Sequence, residues 1–192
     1  MQPSDGSGLT TSRPCAAIAV IPARNEEKTI ARVVRGVVEH TGLPVVVVDD
    51  QSSDATAQLA RQAGATVLSP RIQLGAWGAI QTGMRYAHGR GCSQVVTLDG
   101  DGQHDPRFIP DLLAAAGRNG TDVVIGACPE RVSGMRRLAW SFFKRLTGLR
   151  LEDLTSGYRV YNQKAVELLL APGAALYEYQ DMGILLLLEG RN

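Results

Sequence analysis

The chain has 192 residues, of which 44% are hydrophobic and 20% are charged. This composition is typical of one folded globular domain and argues against a chain that is disordered throughout. The formal net charge is +1, so there is no bulk electrostatic reason to expect binding to nucleic acid. The longest aliphatic runs, 45–48 and 184–188, are far shorter than the roughly 20 residues of a transmembrane helix. We therefore expect a single domain that does not span a membrane.

The amino terminus and the cysteines provide information on the cellular location of the protein. Residues 1–14 are rich in Ser, Thr, Gly and Pro and lack the apolar core of a signal peptide, which predicts a flexible leader followed by one domain over 15–192. Cys15, Cys92 and Cys128 form no CxxC pair and have no neighbouring histidine. We expect three reduced, structural thiols and a cytoplasmic protein.

Short β-branched or aliphatic runs alternate with helix-like segments along the chain. The runs are residues 16–21, 45–48, 66–68, 94–98 and 122–126. This alternation predicts βαβ units, and hence an α/β fold with a mainly parallel central sheet flanked by helices.

Capping residues predict where three of the helices begin. The candidates are Asn25 for a helix running toward His40, Ser53 or Asp54 for a helix that ends near Gly64, and Asp105 ahead of Pro106. Gly64 fits the left-handed residue that terminates many helices.

Polar residues follow three of the predicted strands, in the segments 22–27, 49–54 and 99–106. In α/β sheets of this kind, ligands bind outside the carboxyl ends of the strands. The sequence therefore predicts one ligand site built from these three turns.

The third turn carries two carboxylates at the end of a buried strand. Asp99 and Asp101 are separated by Gly100, so both acids point out of the sheet edge and a ligand can approach the backbone closely. Hard oxygen ligands at this spacing suit Mg²⁺ or Mn²⁺, which prefer carboxylates together with substrate phosphate oxygens. The pattern predicts a divalent metal that is shared with a diphosphate.

Other interpretations of the acidic turn can be compared. An EF-hand needs glycine at the sixth position and glutamate at the twelfth, where this chain has His104 and Pro110, so that interpretation fails. A haloacid-dehalogenase-type phosphatase places Thr or Val where Gln103 stands, and it does so on the first strand. A solvated acidic turn without metal remains an alternative from these residues alone.

The first two turns lack the glycine-rich loops that commonly bind phosphate. No G-x-G-x-x-G or G-x-x-x-x-G-K-[ST] loop occurs in the chain, and segment 22–27 has no glycine, which also argues against a sugar-phosphate nucleotidyltransferase. Acids such as Asp50 could accept hydrogen bonds from a base or ribose, and Ser52 and Ser53 add hydroxyls. For Asn25, Ser53 and Asp54, helix capping is the favoured role.

The segment 131–150 departs from the strand and helix rhythm. It contains Arg131 and five further basic residues, with no acid between Arg131 and Arg150. Leu138, Phe142 and Leu146 are four residues apart, on one face of a helix. The segment is a candidate for contact with a membrane surface, and a helix packed on the sheet is the alternative.

Taken together, four ordered motifs resemble those of family 2 glycosyltransferases with the GT-A fold. They are PARNEE at 22–27, VVDDQSSDAT at 47–56, LDGDGQHDP at 98–106 and LTSGYRVYN at 154–162. The resemblance is closest to the branch that contains dolichol-phosphate mannose synthase and bacterial polyprenyl-phosphate glycosyltransferases. It implies a GT-A fold and inverting transfer from a nucleotide diphosphate sugar, such as GDP-mannose or a UDP-hexose, to a polyprenyl or dolichyl phosphate.

The resemblance also implies roles for individual residues. The nucleotide pocket would be lined by Pro22, Arg24, Glu26, Val48 and Asp50, and the metal and diphosphate would be held by Asp99, Gly100, Asp101 and Gln103. Arg131 and Arg159 would lie near the acceptor phosphate, with a loop-anchoring ion pair as the alternative for Arg159. Arg71 stands in a segment where many relatives carry a lysine, and it could replace that lysine at the donor phosphates.

The residues themselves do not identify the acceptor. A lipid phosphate is already ionised and needs no general base, whereas a saccharide hydroxyl needs a carboxylate to take its proton, for which Asp181 is the best candidate. A place on the polar side of a helix is an equal alternative for Asp181. Because relatives usually continue past the position of Asn192, we also expect a minimal or truncated catalytic domain. A non-catalytic nucleotide-sugar-binding module is the alternative from another class.

Overall fold

A computed structural model of the chain describes residues 15–118, 121–126 and 157–172. The predicted leader over 1–14 and the basic segment 131–150 lie outside the described residues, as do Arg131, Asp181 and Cys128.

Six strands form one mixed sheet. They are β1 Ala17–Ala23, β2 Val45–Asp49, β3 Thr66–Leu68, β4 Gln94–Thr97, β5 Val123–Ile125 and β6 Arg159–Asn162, in the order β3-β2-β1-β4-β6-β5. The first four strands pair with one another in parallel, whereas β6 runs antiparallel to both β4 and β5. The predicted mainly parallel α/β sheet is confirmed. Sequence patterning missed β6, because its residues Arg-Val-Tyr-Asn do not form a β-branched or aliphatic run.

Helices cover the sheet. They are α1 Ile30–Thr41, α2 Thr56–Gln62, α3 Gly75–Gly89, α4 Ile109–Arg118 and α5 Gln163–Leu169, with a 3₁₀ turn at Pro106–Phe108 ahead of α4. Asp105 accepts from the Arg107 N–H at 3.0 Å and caps the 3₁₀ turn as predicted. Asp54 accepts from the Thr56 N–H at 2.9 Å, but the N-cap position of α2 is Ala55, which has no side-chain cap, so the cap predicted at Ser53 or Asp54 is wrong in position. Gly64 has a φ of 99°, as a left-handed helix stop requires.

The cap predicted at Asn25 is wrong. Helix α1 begins at Ile30, and the Asn25 side chain instead accepts from the Ser53 N–H in another loop at 2.9 Å. Asn25 and Gln51 both have left-handed backbones, with φ values of 56° and 63°. Asparagine tolerates this conformation better than most residues, which explains its place in a turn rather than at a helix start.

Two hydrophobic layers lie on opposite faces of the sheet. Along β1, Ala19 and Ile21 pack in the layer with α1 and α4, while Ile18 and Val20 pack in the layer with α3 and α5. Successive side chains of a strand point to opposite faces, so a strand covered by helices on both faces is apolar throughout. This double burial fixes the sheet whose carboxyl edge carries the three polar turns.

Helix α3 packs against β1 through a glycine, which leads to a stability prediction. A Cβ at Gly83 would stand 2.2 Å from Val20 Cγ1. Because this contact is far below van der Waals separation, Gly83→Ala should destabilise the fold by about 1–3 kcal/mol. The matched control is Gly89→Ala in the same helix, where an added Cβ meets nothing within 4 Å. Thermal melts measure Tm for both variants, and an equal decrease in Tm would contradict the packing argument.

The expected reduced state of the cysteines is wrong for two of them. Cys15 and Cys92 form a disulfide across 77 residues of sequence, with their Cα atoms 4.3 Å apart. They precede β1 and β4, which are neighbouring parallel strands, so the pairing of the sheet brings the two thiols together. The cytoplasmic location that was inferred from free thiols loses that support.

Within the ranges that the structure describes, no helix has both the length and the apolar character needed to cross a membrane.

Candidate active site

A cleft of about 350 Å³ opens at the carboxyl ends of β1, β2 and β4. Its walls contain residues from the three polar turns and from the start of α3: Pro22, Ala23, Arg24, Glu26, Asp50, Gln73, Gly75, Ala76, Ala79, Asp99, Gly100 and Asp101. Seven of these residues belong to the predicted site, namely Pro22, Arg24, Glu26, Asp50, Asp99, Gly100 and Asp101. The structure therefore brings together residues that are up to 79 positions apart in sequence, from Pro22 to Asp101.

Hydrogen bonds join the turn after β1 to the turn after β2. The Asn25 N–H donates to Ser52 Oγ at 2.9 Å, and the Glu26 N–H donates to Thr56 Oγ1 at 2.7 Å. The Glu27 N–H donates to Asp54 Oδ2 at 3.2 Å. The side chains of the second turn thus hold the backbone of the first, which fixes the wall of the cleft that presents Arg24 and Glu26.

Asp54 is the acid of this network, and its hydrogen-bond partners lower the pKa of its carboxyl group. Desolvation acts to raise the pKa of Asp54, but hydrogen bonds from the Thr56 hydroxyl and N–H and from the Glu27 N–H outweigh it. The pKa of Asp54 therefore lies below its usual value, and the carboxylate stays ionised near neutral pH.

Asp50 ties β2 to the start of α3. Its side chain accepts hydrogen bonds from the Leu74 N–H at 2.6 Å and the Gly75 N–H at 2.8 Å. The residue is 4% exposed, yet it also lines the cleft. Asp50 thus places the first turn of α3 beside the cleft, and its predicted contact with a nucleotide remains a prediction.

The D-G-D turn is packed directly on the turn after β1. A Cβ at Gly100 would lie 3.4 Å from Ala23 Cβ, from Glu26 Cγ and from the Pro22 carbonyl oxygen. The Thr29 hydroxyl donates to the Gly100 carbonyl oxygen at 2.8 Å. The two turns are therefore in direct van der Waals contact at Gly100, and the Thr29 hydrogen bond holds them together.

The two acids of this turn suit a hard divalent cation. The Asp99 side chain is 47% exposed, and Asp101 Oδ1 accepts from the Gln103 N–H at 2.8 Å. No group of three or more metal-ligating side chains occurs in the described part of the chain. Mg²⁺ is commonly bound by one or two carboxylates together with substrate phosphates, so the donor set present here fits such an ion.

Four predicted residues lie outside the lining of the cleft. Val48 is fully buried in the layer with α3, whereas Arg71 and Gln103 are exposed. Arg159 is 3% exposed within β6, where it pairs with Thr97 of β4. The roles implied for these four side chains remain predictions.

Sequence reasoning missed the contribution of α3 to the cleft. Gly75, Ala76 and Ala79 lie at positions i, i+1 and i+4 of a helix, on neighbouring parts of one face. Their small side chains leave room for a ligand. The signal in the sequence was the small residues Gly75, Ala76 and Ala79, and Asp50 holds the first of them at the cleft.

Comparisons with known proteins agree with this geometry. Residues 18–170 match the family model for glycosyl transferase family 2. Undecaprenyl-phosphate mannosyltransferase of Micrococcus luteus is 34% identical over 165 residues, covering 75% of this chain and 65% of that protein. Polyprenol monophosphomannose synthase of Mycolicibacterium smegmatis is 29% identical over 181 residues, covering 84% of this chain and 68% of that protein.

A solved structure also resembles this fold. Glucosyl-3-phosphoglycerate synthase from Mycobacterium tuberculosis, in complex with Mn²⁺, UDP-glucose and phosphoglyceric acid, superposes with a TM-score of 0.65 at 25% identity. The match covers 79% of this chain and 58% of that one. The chain spans about half to two thirds of the length of the first curated relatives that it matches.

These matches confirm the predicted GT-A fold, since the structural neighbours are GT-A glycosyltransferases. The family model covers most of the chain, from the second residue of β1 to just past α5. It thus includes all three turns that line the cleft. The chain therefore belongs to glycosyl transferase family 2.

Proposed function

We propose that this protein transfers a sugar, with inversion, from a nucleotide diphosphate sugar to a polyprenyl or dolichyl phosphate. The observation that carries the proposal is the meeting of Asp99 and Asp101 with Arg24, Glu26 and Asp50 around one cleft. A paired carboxylate edge opposite polar groups suits a ligand that has a diphosphate at one end and a nucleoside at the other.

Asp99 and Asp101 are the proposed ligands of Mg²⁺ or Mn²⁺. When bound, the cation supplies positive charge that stabilises the departing nucleotide diphosphate. The support is the exposure of Asp99 at the cleft and the presence of Mn²⁺ in the similar synthase structure. The chain's own part is to orient the two carboxylates, and Thr29 and the Gln103 N–H hold the turn that carries them.

The proposed acceptor follows from the relatives. Their names include a dodecaprenyl-phosphate galacturonate synthase of Rhizobium johnstonii and a dolichyl-phosphate N-acetylglucosaminyltransferase of Methanococcus voltae, which are 30% and 27% identical to this chain. The lipid phosphate is common to these names, whereas the sugar differs. We therefore propose the acceptor class and leave the sugar to experiment.

A second candidate is a soluble hydroxyl acceptor. It is favoured by the likeness to a synthase whose structure contains phosphoglyceric acid. In that case a base must take the proton of the hydroxyl, and Asp181 is the proposed base.

A panel assay distinguishes the two acceptors. GDP-mannose and several UDP-hexoses are each incubated with Mn²⁺ or Mg²⁺ and with a short polyprenyl phosphate, phosphoglyceric acid or no acceptor. We expect sugar to appear on the polyprenyl phosphate with one donor. Transfer only to phosphoglyceric acid would favour the soluble acceptor, and no donor binding in any condition would contradict both.

Arg131 is the proposed group that grips the acceptor phosphate. A guanidinium binds phosphate in bidentate fashion and lysine does not, so Arg131→Lys should raise the KM for polyprenyl phosphate about tenfold, which is about 1.4 kcal/mol. Binding of the nucleotide sugar should be unchanged. Arg118→Lys, on the exposed end of α4, is the matched control. Equal KM values for the two variants would contradict this role.

The segment 131–150 is the proposed peripheral contact with the cytoplasmic side of a membrane. Its charge pattern supports attraction to the anionic lipids of that leaflet. Liposome flotation with and without anionic lipid at low salt tests the contact. Failure to float with anionic lipid would leave a soluble acceptor as the better interpretation.

A further inference from the structure

The Asp99 carboxylate is enclosed on one side by the backbone of Gly157. A Cβ at Gly157 would stand 2.8 Å from Asp99 Oδ1 and 3.0 Å from Oδ2. The Thr97 hydroxyl donates to the Gly157 carbonyl oxygen at 2.8 Å, which anchors this glycine to the end of β4. Any side chain at position 157 would therefore force the carboxylate to move, because the glycine backbone itself is held in place.

His104 contacts Asp99 as well. Its Nδ1 accepts from the Asp99 N–H at 3.2 Å and lies 3.5 Å from Asp99 Oδ2. Since Nδ1 acts as an acceptor, the neutral ring carries its proton on Nε2. The histidine is 5% exposed, so its ring is fixed by the surrounding structure rather than by solvent.

Tyr158 holds the histidine in turn. The two rings are stacked with centroids 5.1 Å apart and an interplanar angle of 25°. The Tyr158 hydroxyl donates to the Asp105 carbonyl oxygen at 2.9 Å, and the residue is 3% exposed. Tyr158, which directly precedes β6, is thus joined to the segment that follows the D-G-D turn, 53 residues earlier in the sequence.

We propose that His104, Gly157 and Tyr158 form a clamp that orients Asp99 for the divalent metal, in which His104 holds the Asp99 N–H and Gly157 bounds the carboxylate. The inference rests on the proposed function, in which Asp99 is a metal ligand. None of the three residues is assigned to the metal or the substrate, so they are positioning residues that act through Asp99. The clamp also gives the G-Y dipeptide of the last motif a role that is separate from that of Arg159.

The clamp has a physical purpose in a site with few protein ligands. The Asp99 side chain is nearly half exposed, so without fixed neighbours it would lose rotamer freedom each time a metal binds. Mg²⁺ and similar ions demand near-ideal geometry, and loss of a partner that orients a ligand typically costs about 10–100-fold in metal affinity.

The experiment measures Mn²⁺ affinity rather than turnover. Mn²⁺ is titrated into the full chain with GDP or UDP present, and free Mn²⁺ is followed by electron paramagnetic resonance. Gly157→Ala should raise the Kd for Mn²⁺ about 10–100-fold. Nucleotide binding in EDTA should stay at the wild-type value. Gly117→Ala in α4 is the matched control, since an added Cβ there meets nothing within 4 Å.

Two histidine variants test the clamp if Gly157→Ala does not fold. His104→Asn keeps a hydrogen-bond acceptor close to the position of Nδ1, whereas His104→Leu fills the space but has no acceptor. We expect His104→Leu to weaken Mn²⁺ binding about tenfold or more, and His104→Asn to recover part of that loss. A purely structural role would lower Tm in both variants and leave the Kd for Mn²⁺ unchanged at temperatures well below Tm.

The outcomes separate the clamp from the proposed function. If the wild type binds nucleotide and Mn²⁺, but Gly157→Ala and His104→Leu bind Mn²⁺ equally well, the clamp is overturned and the proposed function stands. If the wild type with GDP or UDP binds no Mn²⁺, the proposed metal site is overturned, and the clamp with it, whereas the panel assay tests sugar transfer separately.

Discussion

Asp101→Asn is expected to reduce sugar transfer by at least about 10²–10³-fold while the domain stays folded. Loss of one group that stabilises charge in a transition state typically lowers the rate by this factor. The amide keeps an oxygen that can accept the Gln103 N–H, so the turn should survive, but the negative charge that attracts a divalent cation is lost. Turnover is measured with the donor identified by the panel assay, and Tm is measured alongside it.

The control for this variant is Asp111→Asn. Asp111 is an exposed acid in the first turn of α4 and lies outside the cleft lining, so its variant should keep full turnover. Full activity of Asp101→Asn in metal-depleted buffer would remove the metal site from this turn. A parallel loss of turnover and Tm in Asp101→Asn would instead indicate that the acid stabilises the fold.

Asp50→Ala should weaken nucleotide binding about tenfold, even with EDTA present. The acid lines the cleft and fixes the start of α3 beside it, so its loss removes a polar group and loosens one wall. Leaving the N–H groups of Leu74 and Gly75 without their acceptor should also cost about 1–3 kcal/mol of stability. Isothermal titration with GDP and UDP, together with a denaturant melt, measures both effects.

Asp122→Ala is the matched control for the stability effect. Asp122 also accepts two hydrogen bonds, from Asn162 Nδ2 at 2.9 Å and from Lys164 Nζ at 3.1 Å, but it lies outside the cleft lining. Asp122→Ala should lower stability without changing nucleotide affinity. An unchanged nucleotide affinity in Asp50→Ala would limit Asp50 to holding α3.

Asp50 and Asn25 contribute to the cleft by hydrogen bonds with neighbouring segments of the chain. Both were read from sequence as groups for a ligand or a helix cap, and both bind loop or helix backbone at the edge of the cleft. Such residues shape the walls because the turns they join carry Arg24, Glu26 and Gly75. Their substitution should therefore change affinity and stability together.

The sequence by itself determined the features that depend on near neighbours. The apolar runs predicted five of the six strands, and Asp105 caps as predicted because a cap bonds to a residue two positions away. The three turns could be placed at one edge because the carboxyl ends of parallel strands meet there. That rule was sufficient to collect eight residues of the cleft, all from the segments 22–27, 49–54 and 99–106.

Tertiary structure decided the features that depend on distant pairs. Strand β6 exists because Arg159–Asn162 pairs with β4 and β5, and the Cys15–Cys92 bond exists because β1 and β4 are neighbours. Gly157 meets Asp99 only after that pairing has formed. The physical reason is that periodicity and capping report contacts within a few residues, whereas the free energy that selects these pairings comes from burying both faces of the whole sheet.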